Sequence, residues 1–142
     1  INFNNDLSEW NVSSVENMEA MFEGASSFDG NITSWDVSSV TGMGTMFYNA
    51  SSFNQDLSWW DVSSVEDMTW MFYNASSFNE DISAWDVSSV TNMTSMFKQA
   101  SSFIQDLCAW GQKLQWDAVV DSLFNSTSCP MQSDPNMEDS PP

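Results

Sequence analysis

A strict internal repeat runs through most of the chain and constrains its fold more than any other feature. Phenylalanine recurs at every twenty-fifth position from Phe3 to Phe103, and tryptophan does the same from Trp10 to Trp110. A unit of this size cannot bury its own apolar side chains, so neighbouring units must stack and share one core. We predict four full units, at 3–27, 28–52, 53–77 and 78–102, and a partial fifth that ends at 110.

The two halves of each unit have different apolar spacing. In the first half, Leu7, Trp10 and Val12 are spaced like the apolar positions of a leucine-rich-repeat strand. In the second half, the apolar positions are spaced like one face of a short helix. They are Val15, Met18, Met21, Phe22 and Ala25. We therefore expect an α/β repeat protein, a short right-handed solenoid of strand-helix units with a parallel sheet.

The repeat pattern changes after residue 110. Residues 111–129 are expected to form a C-terminal cap, with one amphipathic helix at 116–124. Cys108 takes the place of a serine in the strand and Cys129 follows the helix, so a disulfide between them would fix the cap to the last strand. Residues 130–142 are polar, acidic and contain proline, and they are expected to be disordered or draped over the surface.

The first unit shows no comparable cap. Ile1, Phe3 and Trp10 are expected at an open apolar face that docks a neighbouring subunit or further repeats. A head-to-tail contact of this kind, if it does not close, builds a filament.

Charge and composition exclude several classes of protein. The chain has 20 Asp plus Glu, 2 Lys plus Arg and no His, for a net charge of -18. A nucleic-acid binder needs cations, and Ser-His-Asp or Cys-His catalysis needs a histidine. No apolar run approaches the roughly 20 residues of a membrane span. Carboxylates recur in every unit instead of forming one distinct pair, so no catalytic residue and no enzymatic activity are expected.

The repeat resembles a known family. The motif from Trp85 to Met93, followed by Met96-Phe97 and then by Ala100 to Phe103, resembles the bacterial surface-protein repeat, a family also found in Mycoplasma lipoproteins as a domain of unknown function. The family is related to the BspA-like leucine-rich repeats and includes algal secreted proteins. The segment from Asp106 to Gly111 resembles the C-terminal cap of these algal proteins. The resemblance implies a leucine-rich-repeat-like solenoid displayed at the cell surface, without catalytic residues.

Sequons for N-glycosylation are more frequent than composition alone predicts. They occur at Asn11, Asn31, Asn49, Asn74, Asn92 and Asn125. We expect these sites to carry glycans if the source is a eukaryote that secretes the protein, and otherwise to be ordinary polar surface.

Aspartates form columns of like charge through the stack. Asp36, Asp61 and Asp86 lie next to the tryptophan column. Two explanations are open: the aspartates accept backbone N–H bonds in local Asx turns, or they hold Ca²⁺, the one cofactor the sequence suggests.

Four aromatic residues lie outside the core columns and are expected at the surface. They are Tyr48, Trp59, Trp70 and Tyr73. Exposed tyrosine and tryptophan favour lateral contacts with protein partners or sugars.

Two functions from different classes fit this sequence. We expect a glycosylated extracellular structural protein that assembles with itself or with other extracellular proteins. The alternative is an adhesin or carbohydrate-binding module that uses Trp59, Asp36, Asp61 and Asp86 on the strand face. Ice binding is a weaker possibility, because regular outward threonine columns are absent.

Overall fold

The computed structural model describes residues 3–123, in which the repeats lie on one another as layers. Single parallel bridges join the layers at one repeat position, pairing Asn17 with Gly42, Gly42 with Asp67, Asp67 with Asn92, and Asn92 with Val119. Within these residues the regular structure consists of these isolated bridges and one 3-10 helix, Cys108–Gln112. The predicted solenoid of strand-helix units, with its leucine-rich-repeat-like sheet, is therefore wrong.

The second half of each repeat is not helical, because its backbone N–H groups bond elsewhere. The N–H of Met18 donates to the carbonyl of Gly42 at 2.9 Å, and that of Phe22 donates to Met46 at 2.9 Å. An α-helix would direct the same groups to carbonyls four residues earlier in the same layer. Between them, the N–H of Met21 bonds to Met18 in a turn at 3.3 Å. Bonds between layers thus alternate with turns, and no helix can form.

Left-handed backbone conformations also interrupt this half of the repeat. One column carries them at Ala20, Thr45, Trp70 and Ser95, with φ values of 53–56°. A second column carries them at Gly24, Asn49, Asn74 and Gln99, with φ values of 55–68°. Residues with positive φ cannot continue a right-handed helix. The helical spacing of the apolar residues arises instead from turns that recur along the repeat.

The first half of each repeat turns where a strand was expected. The N–H of Trp10 donates to the carbonyl of Leu7 at 3.0 Å, and that of Val15 donates to Val12 at 2.8 Å. These bonds close turns and bend the chain away from an extended path. The residues that bond regularly between layers lie in the second half, at 16–24 in the first unit and at the equivalent positions of the others.

The core is a set of aromatic columns that run through the layers. Phe28 and Phe53 stack with their centroids 5.9 Å apart, and Trp35 and Trp60 stack at 6.4 Å. Phe47 also stacks on Phe53, at 4.0 Å. Offset stacking adds about 0.5–1.5 kcal/mol per pair beyond the burial of apolar area. The strict period therefore has a packing explanation: each ring must meet its copy in the next layer.

The layers continue beyond the last recognisable repeat. The N–H of Met93 donates to the carbonyl of Val119 at 2.7 Å, just as the N–H of Met18 donates to Gly42 in the first two layers. The next turn is equivalent too, since Ser122 has φ of 57° like the first positive-φ column. Val119 and Ser122 each lie two positions later in the sequence than the repeat period would place them. Residues up to 123 thus form the second half of a fifth layer that contains two additional residues.

This fifth layer replaces the predicted helical cap. The expected helix at 116–124 is absent over the residues described, and Phe124 lies outside them. Residues 3–123 contain no disulfide; Cys108 is exposed, and its predicted partner Cys129 lies outside the described residues. Backbone bonds to the fourth layer hold this segment in place. The predicted tail at 130–142 also lies outside the described residues.

Among residues 3–123 there is no helix with the length and apolar character that a membrane crossing requires.

Candidate functional site

The outer face of the first layer is apolar and open. Trp10 is 54% exposed, whereas its copy Trp35 in the second layer is 4% exposed. A depression of about 280 Å³ lies on this face, lined by Phe3, Leu7, Trp10, Met21, Phe22, Glu23 and Ala25. Ile1, which was expected here, lies outside the described residues. Phe3 and Trp10 do share the predicted surface.

The buried tryptophans show what the face lacks. Three indole Nε1 groups donate to a carbonyl of the preceding layer: Trp35 to Leu7 at 2.9 Å, Trp60 to Ile32 at 3.3 Å and Trp85 to Leu57 at 2.9 Å. Among the described residues the buried Nε1 of Trp110 has no hydrogen-bond partner. Among residues 3–123 no layer precedes Trp10, and its ring stacks on Trp35 at 6.4 Å on one side. A preceding layer of the same pattern would supply both a ring and a carbonyl at this position.

Three surface aromatic residues form a cluster on the side of the stack. Tyr48 and Tyr73 are copies in successive layers and stack with centroids 4.8 Å apart. Trp70 lies beside them, 6.3 Å from Tyr48 and 6.5 Å from Tyr73, with its ring tilted by 47° and 59°. The structure thus brings together three of the four surface aromatics that the sequence singled out. We call this group the Trp70 cluster.

A cleft lies against the Trp70 cluster. It has a volume of about 270 Å³ and is lined by Tyr48, Trp70, Tyr73, Thr94, Ser95 and Lys98. Lys98 occupies the same repeat position as the two tyrosines, one layer further on. This lysine was not among the predicted site residues, although the repeat period alone places it directly after Tyr73 in the column.

Trp59 lies apart from the Trp70 cluster. Its side chain is 87% exposed, as predicted for an outward position. Within residues 3–123 no aromatic ring stacks on it. Trp116 is also exposed, at 92%, in the segment that leads to the second half of the fifth layer.

The aspartate columns are built from Asx turns. The carboxylate of Asp36 accepts bonds from the hydroxyl and backbone N–H of Ser38 at 2.6 and 3.2 Å, and Asp61 accepts the same pair from Ser63 at 2.6 and 3.1 Å. Asp86 accepts the backbone N–H of Ser88 at 3.1 Å. These contacts favour the local explanation for the regular spacing of the carboxylates.

These hydrogen bonds also stabilise the charged form of the carboxylates. The hydroxyl of Ser38, followed by its backbone N–H, lowers the pKa of Asp36 below its ordinary value of 3.8. The same groups of Ser88 lower the pKa of Asp86. Among residues 3–123 no group of three or more Asp, Glu, Cys or His side chains is arranged to hold a metal ion. The geometry therefore offers no support for the calcium alternative at Asp36, Asp61 and Asp86.

Three of the sequons share one geometry. The amide oxygens of Asn11, Asn31 and Asn92 accept bonds from the hydroxyls of their own sequons, at 2.8, 2.8 and 2.7 Å. This Asx turn fixes the position of the amide oxygen and does not use Nδ2. Asn11 and Asn31 are exposed, and Asn92 is half-buried.

The sequons at Asn49 and Asn74 are different. The Nδ2 of Asn74 donates to the Oδ1 of Asn49 at 2.7 Å, which links two layers. Both side chains are half-buried beside the tyrosine column. A glycan on Asn74 would compete with this bond. Asn125 lies outside the described residues.

Comparison with protein families gives one match. Residues 1–110 match the family described as "Mycoplasma protein of unknown function, DUF285". The chain belongs to this family. A comparison with curated proteins and with solved structures finds no match.

The DUF285 match confirms the resemblance to the Mycoplasma domain of unknown function. It ends at residue 110, where the sequence period also ends. The layers nevertheless continue to residue 123, because two additional residues displace the pattern without breaking the backbone bonds. The description of the DUF285 family names no activity, so any function must be argued from the surfaces described above.

Proposed function

We propose that this DUF285 protein is a non-enzymatic extracellular structural protein that extends its stack by docking a further layer on its first one. The observation that carries the proposal is the open apolar face around Trp10, which is 54% exposed. An exposed face of this kind is typical of an interaction site. Its partner is another copy of this repeat or another extracellular protein of similar pattern.

The geometry of the columns indicates the orientation of the partner. Phe3 stacks on Phe28 at 5.5 Å and Trp10 stacks on Trp35 at 6.4 Å, each on its inner side only among the described residues. The complementary surface is therefore the far side of a layer, which supports a head-to-tail contact. Repetition of such a contact gives a filament or a surface layer.

Exposed apolar groups also occur in the last layer that the structure describes. Trp116 is 92% exposed and Val119 is 43% exposed, whereas Phe103 and Trp110 in the same layer are fully buried. We expect the joint to use Trp116 and Val119 against the face around Trp10.

Sequence resemblance and sequons support an extracellular location. The repeat resembles bacterial surface proteins and algal secreted proteins, and the sequons at Asn11 and Asn31 lie on exposed positions. Glycans there would increase the solubility of an assembly. We propose that the protein acts outside the cell or at its surface.

The assembly is tested with one variant on the face and one away from it. Trp10→Glu places a charge on the face and is expected to abolish assembly of the purified chain, because burying an unpaired carboxylate is unfavourable. Trp59→Glu changes an exposed tryptophan elsewhere and is expected to assemble normally. Analytical ultracentrifugation and electron microscopy measure the outcome. Wild-type chains that remain monomers near 16.0 kDa at every concentration would contradict the proposal.

A second candidate function, an adhesin or carbohydrate-binding module, is favoured by the exposure of Trp59. Its indole is 87% exposed and lies near the Asx turns of Asp36, Asp61 and Asp86 in the repeat. Trp59→Ala introduces the residue that the next repeat carries at this position, Ala84. Loss of retention on a glycan array, with an unchanged melting temperature, would support this function. A wild-type chain that retains no glycan would contradict it.

A further inference from the structure

We propose that the cleft against the Trp70 cluster binds a short saccharide that carries a single carboxylate. The cleft lies on the side of the stack and shares no residue with the face around Trp10. Trp59 does not line the cleft either. The inference is therefore independent of the proposed assembly, and either can fail while the other holds.

The cleft exists because the neighbours of Trp70 in its column are small. The same repeat position holds Thr45 one layer before and Ser95 one layer after. Neither side chain can cover an indole, and Trp70 is 44% exposed. The resulting volume of about 270 Å³ lies just below the roughly 300–1,000 Å³ of pockets for drug-sized ligands. A ligand of one or two sugar rings matches this size.

The lining of the cleft suits the two kinds of surface on a sugar. The ring faces of Tyr48, Tyr73 and Trp70 carry negative potential, which attracts the polarised C–H groups on the apolar side of a pyranose. The tilt of 47–59° between the indole and the tyrosine rings gives the site two walls. The phenol groups offer donors and acceptors for the sugar hydroxyls, and the hydroxyl of Thr94, which donates to Asn92 at 2.7 Å, can still accept a bond.

Lys98 adds a positive charge for which the described residues provide no partner. Within residues 3–123 no carboxylate lies within 4.0 Å of its ammonium group, although the chain has 20 acidic residues. The other lysine, Lys113, donates to the carbonyl of Trp85 at 2.8 Å. A carboxylate on the ligand would give Lys98 a charge-assisted hydrogen bond beside the aromatic rings.

The net charge limits the ligand to one or few carboxylates. A total of -18 repels polyanions at long range, and this repulsion acts on every charge of the ligand. One local ammonium can offset it for a single carboxylate but not for a sulfated polymer. A uronic acid is the simplest sugar with these properties.

The test uses two probes that differ only in the carboxylate. Methyl glucuronide and methyl glucoside are titrated into the full chain, and affinity is measured by NMR chemical-shift changes. We expect saturable binding of both, with the glucuronide bound about tenfold more tightly because of the charge-assisted bond. An acidic peptide serves as a third probe and is expected not to compete.

Variants taken from the repeat itself locate the site. Lys98→Gln should remove the preference for the glucuronide and leave the affinity for the glucoside unchanged. Trp70→Thr, which copies Thr45 at the equivalent position, should weaken both about tenfold or more. Trp59→Ala, which copies Ala84, is the matched control and should change neither. Near-ultraviolet circular dichroism and the melting temperature establish that each variant is folded.

Several results would overturn the inference. They are the absence of saturable binding by folded wild-type protein, equal affinity for both sugars, and equal losses in Trp59→Ala and Trp70→Thr. Binding of the acidic peptide with the same dependence on Lys98, without binding of the glucuronide, would overturn it in favour of a protein partner.

Discussion

At the scale of single residues, the second positive-φ column explains why three of the four repeats place glycine or asparagine before the alanine, the fourth having Gln99. Gly24, Asn49 and Asn74 occupy this column with φ of 55–68°. Glycine adopts this conformation without a steric penalty, and asparagine tolerates it better than most residues. In addition, the side chain of Asn74 donates a hydrogen bond to Asn49 in the layer before it. At this position the positive φ therefore limits which residue types fit, and the hydrogen bond to the neighbouring layer is an additional effect of asparagine.

Two substitutions at Asn74 separate these effects. Asn74→Ala and Asn74→Gly both remove the bond to Asn49, but only alanine retains the penalty for positive φ. We expect Asn74→Ala to be less stable than Asn74→Gly by about 1 kcal/mol in urea unfolding. Equal stability of the two variants would show that the backbone conformation at this position carries no cost.

The Asx turns predict how stability depends on pH. The lowered pKa values of Asp36 and Asp86 mean that these carboxylates stabilise the fold above their ordinary value of 3.8, and that the contribution is lost as pH falls through the lower folded-state pKa. Asparagine at these positions keeps the acceptor oxygen and does not titrate, and Asn11 is the natural precedent. The double variant D36N/D86N should therefore lose less unfolding free energy than the wild-type protein between about pH 4 and pH 2.

Urea unfolding at each pH gives the free energy of unfolding, and the prediction concerns the slope of that free energy against pH. The slope is the informative quantity, because removing two negative charges from a chain of net charge -18 also reduces repulsion at neutral pH. Parallel pH dependences for the variant and the wild-type protein would contradict the assignment.

At the scale of a repeat, the contact between layers decides which side chains are permitted. A Cβ added to Gly30 would lie 2.0 Å from the carbonyl oxygen of Asn5 in the layer before and 2.7 Å from Cε2 of Phe28. Gly44 differs, because the nearest atom to its added Cβ is Oδ2 of Asp67 at 3.4 Å. The backbone of the neighbouring layer therefore leaves no room for a Cβ at Gly30, whereas a Cβ at Gly44 would make ordinary van der Waals contact.

This difference gives a paired prediction. Gly30→Ala should lower the free energy of unfolding by about 1–3 kcal/mol, as forced overpacking does elsewhere. Gly44→Ala should change it by less than about 0.5 kcal/mol. Thermal and urea unfolding of both variants check the prediction, which fails if Gly44→Ala proves to be the more damaging change.

At the scale of the whole molecule, charge acts against the apolar end face. Two copies that meet through the face around Trp10 each bring a net charge of -18. Long-range repulsion of this size is screened by salt, since the Debye length falls from about 30 Å at about 0.01 M to about 3 Å at about 1 M ionic strength. Assembly should therefore increase with ionic strength.

Light scattering across this salt range tests the expectation. Wild-type chains should shift from small species at low salt to larger ones at high salt, and Trp10→Glu should stay small throughout. Assembly that weakens with salt would indicate contacts between opposite charges and would contradict an apolar joint. A chain with 2 cations has few such contacts to offer.

The sequence by itself determined the layering, the core and the surface aromatics. The strict period requires each ring to meet its copy, so the phenylalanine and tryptophan columns and the exposure of Trp59 and Trp70 followed from spacing. Only the tertiary structure decided the local conformation, because apolar residues at helical spacing also fit a series of turns when backbone N–H groups bond to the next layer. It also showed that a cleft opens between Trp70 and the column of Lys98, and that two additional residues separate the fifth layer from the register of the others. Those features depend on bonds between neighbouring layers, which apolar spacing within one repeat does not specify.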